Sequence, residues 1–268
     1  MKKSVFILFA TLVLIQFSAC EFNRIRKSTS LKEKYDASIA YYEDKEYYKA
    51  SLLLEEIIPL IRGTRESEIA QFYFAYCHYY LDQLQLSAFY FQKFYETFRA
   101  SQYAEESRYM HVKSLYEDSP PYNLDQTNTY EAISATQSFL NAFPNSSYYE
   151  ECNKILAELR KKLEQKAYEN ARLYYRISNY RAAVVAFDNF QKEYPDSDLN
   201  EDIAYLKLDA QYEYAVQSTQ RRKKERYSEA VSFYESFIDN FPESKYIKPA
   251  QRIYEKCLNE LTKIDPSA

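Results

Sequence analysis

The chain repeats itself. A phrase of the form Phe-x-x-x-aromatic-x-x-Ser begins at Phe94, Phe139, Phe190 and Phe237, at intervals of 45, 51 and 47 residues. Self-similarity at this period marks stacked supersecondary units, each too small to bury its own apolar face. In the copy FDNFQKEYPDSD, Phe187, Phe190 and Tyr194 fall at helical spacing. Pro195 then excludes Tyr194 from the α region, and Ser197 or Asp198 can cap a following helix. Asp198 with Glu201, and Ser147 with Glu150, have the spacing of a capping box. Each phrase is therefore predicted to end one helix and begin the next.

The unit is helical because the alternatives lack material. Gly63 is the only glycine among 268 residues. One glycine builds no phosphate-cradling loop, no dinucleotide fingerprint and no set of tight hairpins. A small residue precedes each helix stop at a fixed distance: Ala50, Ser87, Ala132, Ala183 and Ala230. Four and seven residues beyond them stand Leu54 and Ile57, Phe91 and Phe94, Thr136 and Phe139, Phe187 and Phe190, Tyr234 and Phe237. Small residues let antiparallel helices approach closely, and the larger pair fills the groove. This spacing resembles the second helix of the tetratricopeptide repeat, with a large residue where that repeat usually has its second alanine. The reading is an all-α tetratricopeptide-repeat solenoid of five helix pairs, from about Ser30 to Phe241, plus a C-terminal helix from Ser244 to about Lys263. The stretch from Ser147 to Ser178 has neither Pro nor Gly and carries Cys152, Ile155, Leu159, Leu163 and Ala167 on one stripe. It is predicted to be one long helix bracing the two halves. The third pair carries a loop, Asp118 to Asp125, centred on Ser119-Pro120-Pro121.

The amino terminus reads as a targeting segment. Lys2 and Lys3 precede an apolar run from Val5 to Ile15, followed by Phe17-Ser18-Ala19-Cys20. Such a run is too short to span a bilayer and fits a signal-peptide core. Small-small-Cys resembles the lipoprotein cleavage box, with Phe17 where leucine is usual, so Cys20 is expected to become the acylated first residue; ordinary cleavage near Ala19 is the alternative. Cys77, Cys152 and Cys257 are expected to fill the core, and no Cys-x-x-Cys or Cys/His cluster points to a metal. No cofactor is expected either.

Little in the sequence resembles catalysis. His78 and His111 are the only histidines, and neither sits in a fixed-spacing motif. Adjacent carboxylates such as Glu55-Glu56 do not face each other on a helix. The net charge of −4, with both signs mixed, gives no overall footprint for nucleic acid. Two features point to recognition instead. Counting back from Ala50 and Ser87 puts Tyr35, Ile39 and Tyr42, then Ile69, Phe72, Tyr76, Tyr79 and Tyr80, at groove-facing positions of the first two first helices. The core positions are independently filled by Leu53, Leu54, Ile57, Phe74, Phe91 and Phe94, so these aromatics are a surplus that suits a peptide groove. The run Arg221-Arg222-Lys223-Lys224-Glu225-Arg226 is either a helix C-terminus with a solvated turn or a dock for an acidic partner or anionic lipid.

The irregular features narrow the resemblance. YEDSPPYNLDQTNTYEAI, FPNSSYYEE, ENARLYYRISNYRAAVVAFDNFQKEYPDSD and RRKKERYSEAVSFYESFIDNFPESKY, in that order, resemble the BamD (YfiO) family over nearly the whole mature chain. The resemblance implies a non-enzymatic lipoprotein of the outer membrane, facing the periplasm, in the machinery that assembles outer-membrane β-barrels. It implies lipidation at Cys20, docking to POTRA domains of the barrel-forming subunit, and recognition of unfolded outer-membrane proteins. The expected organisation is a signal peptide at 1–19, a lipidated linker at 20–29, and repeats one to three at 30–143, which bind substrate peptide. Repeats four and five with the closing helix, 144–265, dock the partner. Tyr35, Tyr42, Phe72, Tyr76, Tyr79 and Tyr80 are the candidate groove; Arg221, Arg222, Lys223, Lys224 and Arg226 are the candidate dock. Another envelope repeat adaptor of the Tol–Pal coordinator type is the alternative, although no heptad run lies between Cys20 and Ser30. A glycan-binding lipoprotein of the SusD kind is disfavoured by the absence of tryptophan.

Overall fold

The computed structural model describes residues 21–265, and every element among them is helical. Helix α1 covers 21–27. Five pairs follow: α2 (Leu31–Glu43) with α3 (Tyr47–Ile57), α4 (Arg65–Tyr80) with α5 (Leu84–Thr97), α6 (Ala104–Asp118) with α7 (Thr127–Ala142), α8 (Tyr149–Arg176) with α9 (Tyr180–Glu193), and α10 (Asn200–Val216) with α11 (Gln220–Asn240). Helix α12 (Ile247–Ile264) closes the array. The number and order of the pairs follow the repeat phrase.

The packing register is the predicted one. Ala50, Ser87, Ala132, Ala183 and Ala230 are all fully buried, and of the ten filler residues only Tyr234 stays partly exposed, stacked on Tyr254 at 4.4 Å. At each phrase the stop is physical. Phe98, Phe143, Tyr194 and Phe241 leave the α region with φ between −111° and −133°. Each of their N–H groups donates to the carbonyl of the buried Phe four residues earlier.

A chain with one glycine must still end its first helices, and it does so with unusual residues. Lys45, Asp82 and Ser178 adopt left-handed φ of 62°, 58° and 59°. At each, the N–H donates three residues back and the next N–H donates five back, as in Asp82 to Tyr79 (3.1 Å) and Gln83 to His78 (2.9 Å). This is the Schellman motif without its usual glycine, at a steric cost of roughly 1–2 kcal/mol each.

By contacts the chain divides into two compact units between Arg160 and Lys161, within α8. In the first unit, two buried clusters centre on Leu54, Ile57 and Phe74, and on Phe91, Phe94, Phe139 and Leu159. In the second, they centre on Phe187 and Phe190, and on Tyr227, Phe237 and Ile253. Cys77, Cys152 and Cys257 are free and fully buried, and burial pushes each thiol up to about 12, so they serve as small hydrophobes.

Residues 21–27 of the expected lipidated linker form α1, which packs on the first pair. Phe22 meets Tyr41 edge-on at 5.7 Å, Ile25 is buried, and Arg24 pairs with Glu33 at 2.7 Å. The serine of the phrase, expected as a helix cap, does something else. Helix α10 starts from Leu199 with no side-chain cap, so neither Ser197 nor Asp198 caps it.

Candidate functional site

The phrase serine is the closing element of a clasp. Ser101, Ser146, Ser197 and Ser244 each accept a hydrogen bond from the N–H two residues on, at 3.0–3.1 Å. Each also donates to a glutamate of an earlier first helix, Glu68, Glu105 and Glu201 in a first turn and Glu164 midway along α8. A ring completes the arrangement. Four residues after the glutamate stands Phe72, Tyr109, Tyr168 or Tyr205, and two after the serine stands Tyr103, Tyr148, Leu199 or Tyr246. Where both are aromatic they stack, Phe72 on Tyr103 at 4.6 Å, Tyr109 on Tyr148 at 4.0 Å and Tyr205 on Tyr246 at 4.5 Å. A carboxylate and a hydroxyl close each of these four clasps, and in three of them a stacked ring pair adds about 0.5–1.5 kcal/mol.

The first repeat has the positions but not the residues. Relative to Ala50, the clasp places fall on Leu31, Tyr35, Thr64 and Glu66, so glutamate is replaced by leucine and the second ring by a glutamate. All four line one cavity of about 420 Å³ together with Lys32, Asp36 and Ile61. One clasp of the five is open, and Tyr35 is the ring left without a partner ring in it.

Beside it lies a connected sheet of phenols. Tyr42 stacks on Tyr73 at 4.3 Å, and Tyr80 on Tyr47 at 4.4 Å and on Tyr76 at 5.8 Å. Tyr80 is 48% exposed. Tyr76 donates to Glu106, and Tyr79 to Glu117 at 2.8 Å. Burial, then the accepting carboxylate, pushes both phenols up, and burial raises Tyr42 as well. These hydroxyls are held as donors, and their rings present an uncharged face. Phe72 does not belong to it: it is 5% exposed and packs against Phe91 and Phe94 of the partner helix and against Tyr103. Tyr35, Tyr42, Tyr76, Tyr79 and Tyr80 remain as the candidate face, and sequence reasoning missed Tyr47 and Tyr73.

The basic run stands elsewhere than expected. It opens α11 rather than closing a helix: Thr219 precedes the helix in extended conformation and Gln220 starts it. Cations in a first turn oppose the macrodipole, so the run is unfavourable where it stands. Arg222 pairs with Glu225 at 2.7 Å, Lys224 with Asp265 at 2.6 Å, and Arg226 lies over the Tyr214 ring at 3.7 Å and donates to Ser218. Arg221 is exposed and forms no ion pair among the described residues. Cys20 lies outside the described residues.

A sequence model of the YfiO family, described as outer membrane lipoprotein, matches residues 27–198 and 164–265. The chain belongs to that family. No curated protein matches it. YfiO membership and the all-helical repeat agree with the resemblance read from the loop and the long helix.

Both histidines are engaged by neighbouring side chains or backbone. His78 is stacked on Tyr90 at 5.0 Å with Nδ1 against Gln83, and the nearly buried His111 has Nδ1 against the Ala88 carbonyl at 2.9 Å. Among the described residues no group of acids, histidines and cysteines could hold a metal.

Proposed function

We propose that this YfiO-family chain is a non-catalytic scaffold in outer-membrane β-barrel assembly, anchored through acyl chains on Cys20 and facing the periplasm. Segments of unfolded outer-membrane proteins bind at the open clasp and phenol sheet of the first two repeats. The barrel subunit's POTRA domains dock at the start of α11. The open clasp carries the reading: elsewhere the fold fills this position with its own side chain, and at Tyr35 it leaves about 420 Å³. An apolar or aromatic side chain from a peptide matches what the other clasps hold, and the neighbouring phenols extend the contact along the chain. The basic run supports the second half of the reading, since charge placed against a helix dipole has no packing benefit.

The test is a titration with a fluorescent outer-membrane peptide ending in phenylalanine. Tyr35→Ala with Tyr80→Ala is expected to weaken binding at least tenfold, in line with the roughly 2 kcal/mol lost at an interface anchor. Purified POTRA domains should bind this variant normally and should lose affinity for Arg221→Glu with Lys223→Glu, most at low salt. Full peptide affinity in the folded double tyrosine variant would sink the assignment. An adaptor of the Tol–Pal type is the second reading, and capture of a peptidoglycan-associated partner instead of POTRA domains would favour it.

A further inference from the structure

Helices α5, α6 and α7 enclose a second cavity of about 240 Å³, lined by Gln85, Ala88, Phe89 and Gln92 from α5, His111, Leu115 and Asp118 from α6, and Asn128 and Glu131 from α7. It lies between the second helices α5 and α7 and the first helix α6, and none of its lining residues is a clasp residue. Its polar lining combines two carboxylates, Asp118 and Glu131, with the amides of Gln85, Gln92 and Asn128 and the His111 ring. His111 is 8% exposed, and its Nδ1 faces the Ala88 carbonyl at 2.9 Å. A carbonyl only accepts, so Nδ1 carries the hydrogen and Nε2 is left as a bare lone pair in the neutral ring. Burial lowers the His111 pKa, which favours that neutral form. Asp118 is held in place through one oxygen, Oδ2, by Asn128 at 2.7 Å and Gln85 at 3.2 Å. Both bonds fall on that one atom, which leaves Oδ1 for another donor. Glu131 is exposed at the rim and has no ion pair among the described residues. No lysine or arginine lines the cavity. The Phe89 ring, 54% exposed, forms an apolar wall beside the acceptors.

We propose that this cavity receives an arginine side chain presented by a partner polypeptide. The guanidinium is planar, carries five N–H donors and no acceptor, and stacks on an aromatic face while its edge meets carboxylates. Those are the complements of His111 Nε2, Asp118 Oδ1, Glu131 and Phe89. An ammonium offers a point charge and no face to lay on Phe89, so arginine is preferred over lysine. A neutral polar group satisfies the acceptors but leaves two carboxylates uncompensated.

The test uses the full chain, labelled with 15N and solubilised in detergent, titrated with Nα-acetyl-arginine methylamide. Saturable shifts are expected in the side-chain amides of Gln85 and Asn128 and in the His111 ring nitrogens. The citrulline analogue, which has the shape without the charge, should bind at least about fivefold more weakly. Glu131→Gln, a change at an exposed position, should weaken the arginine probe by a similar factor. The proposal is overturned if those signals stay still, if the citrulline analogue or Nα-acetyl-lysine methylamide binds as tightly as the arginine probe, or if Glu131→Gln leaves affinity unchanged.

Discussion

Helix pairs α4–α5 and α10–α11 are built on one frame and finished differently. Both bring helices together over a small residue, Ser87 or Ala230, and both bury a phenylalanine seven residues on, Phe94 or Phe237. Both are closed by a clasp, Glu68 with Ser101 or Glu201 with Ser244. The difference lies in what extends beyond the frame. Helix α5 begins at Leu84, three residues before its small position, whereas α11 begins at Gln220, ten before. Those seven extra residues make two further turns, about 10 Å of helix, and they carry the basic run. In α4–α5 the surplus is aromatic instead, six rings between Phe72 and Tyr80. A shared frame that tolerates such different additions separates what the repeat needs from what it displays.

The strongest way to break this comparison is to attack the frame in both places. Phe94→Ala and Phe237→Ala should each cost roughly 3–5 kcal/mol in chemical denaturation, through the cavity left behind. A loss under about 1 kcal/mol at either would mean that the two frames are not equivalent. The clasps come next. Ser101→Ala and Ser244→Ala should each cost about 1–2 kcal/mol, since a part-buried carboxylate and a backbone N–H both lose a partner. Pairing each with Glu→Gln at Glu68 or Glu201 in a double-mutant cycle should give similar couplings, and a coupling near zero would remove the clasp from the frame.

Closing the open clasp sharpens the contrast with a gain. Leu31→Glu with Glu66→Tyr supplies the missing carboxylate and ring beside the Thr64 hydroxyl, and should raise stability by about 0.5–1.5 kcal/mol while lowering peptide affinity. Unchanged peptide binding in a stabilised variant would show that the cavity is not where the peptide sits. The smallest effect tests the extension of α11. Arg221→Glu should stabilise by about 0.3–1 kcal/mol as an acidic residue replaces a cation in the first turn, while slowing association with the partner. A destabilised variant would mean that Arg221 contributes to the fold.

The helical frame was legible because its signals are local. Ala50, Ser87, Ala132, Ala183 and Ala230 keep fixed distances to their fillers, and the prolines at 144, 195 and 242 mark the stops. The clasp was not legible, because Ser101 and Glu68 are 33 residues apart and Ser146 and Glu105 are 41 apart. A serine after a helix stop reads as a cap until the distant carboxylate is seen. The start of α11 was misplaced because no proline or glycine separates Val216 from Gln220; the cue present was Ser218-Thr219. Phe72 was assigned to the wrong face because Phe72, Tyr73, Phe74, Tyr76, Tyr79 and Tyr80 leave α4 with no polar side to contrast against.

Helix α1 has a consequence for reach. Ten residues of flexible chain would let a tethered domain wander through roughly 16–19 Å from its attachment point. With 21–27 folded onto the first pair through Phe22, Ile25 and Arg24, that slack is gone. Cys20 is one peptide unit from Glu21, about 3.8 Å between Cα atoms. If it is acylated, the protein is on a short leash: the first repeat becomes a fixture at the bilayer surface, and its open clasp stands at a set height. A lipid-borne quencher should then dim a fluorophore at Tyr48→Cys strongly, and inserting a Gly-Ser spacer after Lys27 should leave that dimming unchanged, whereas the same spacer after Cys20 should relieve it.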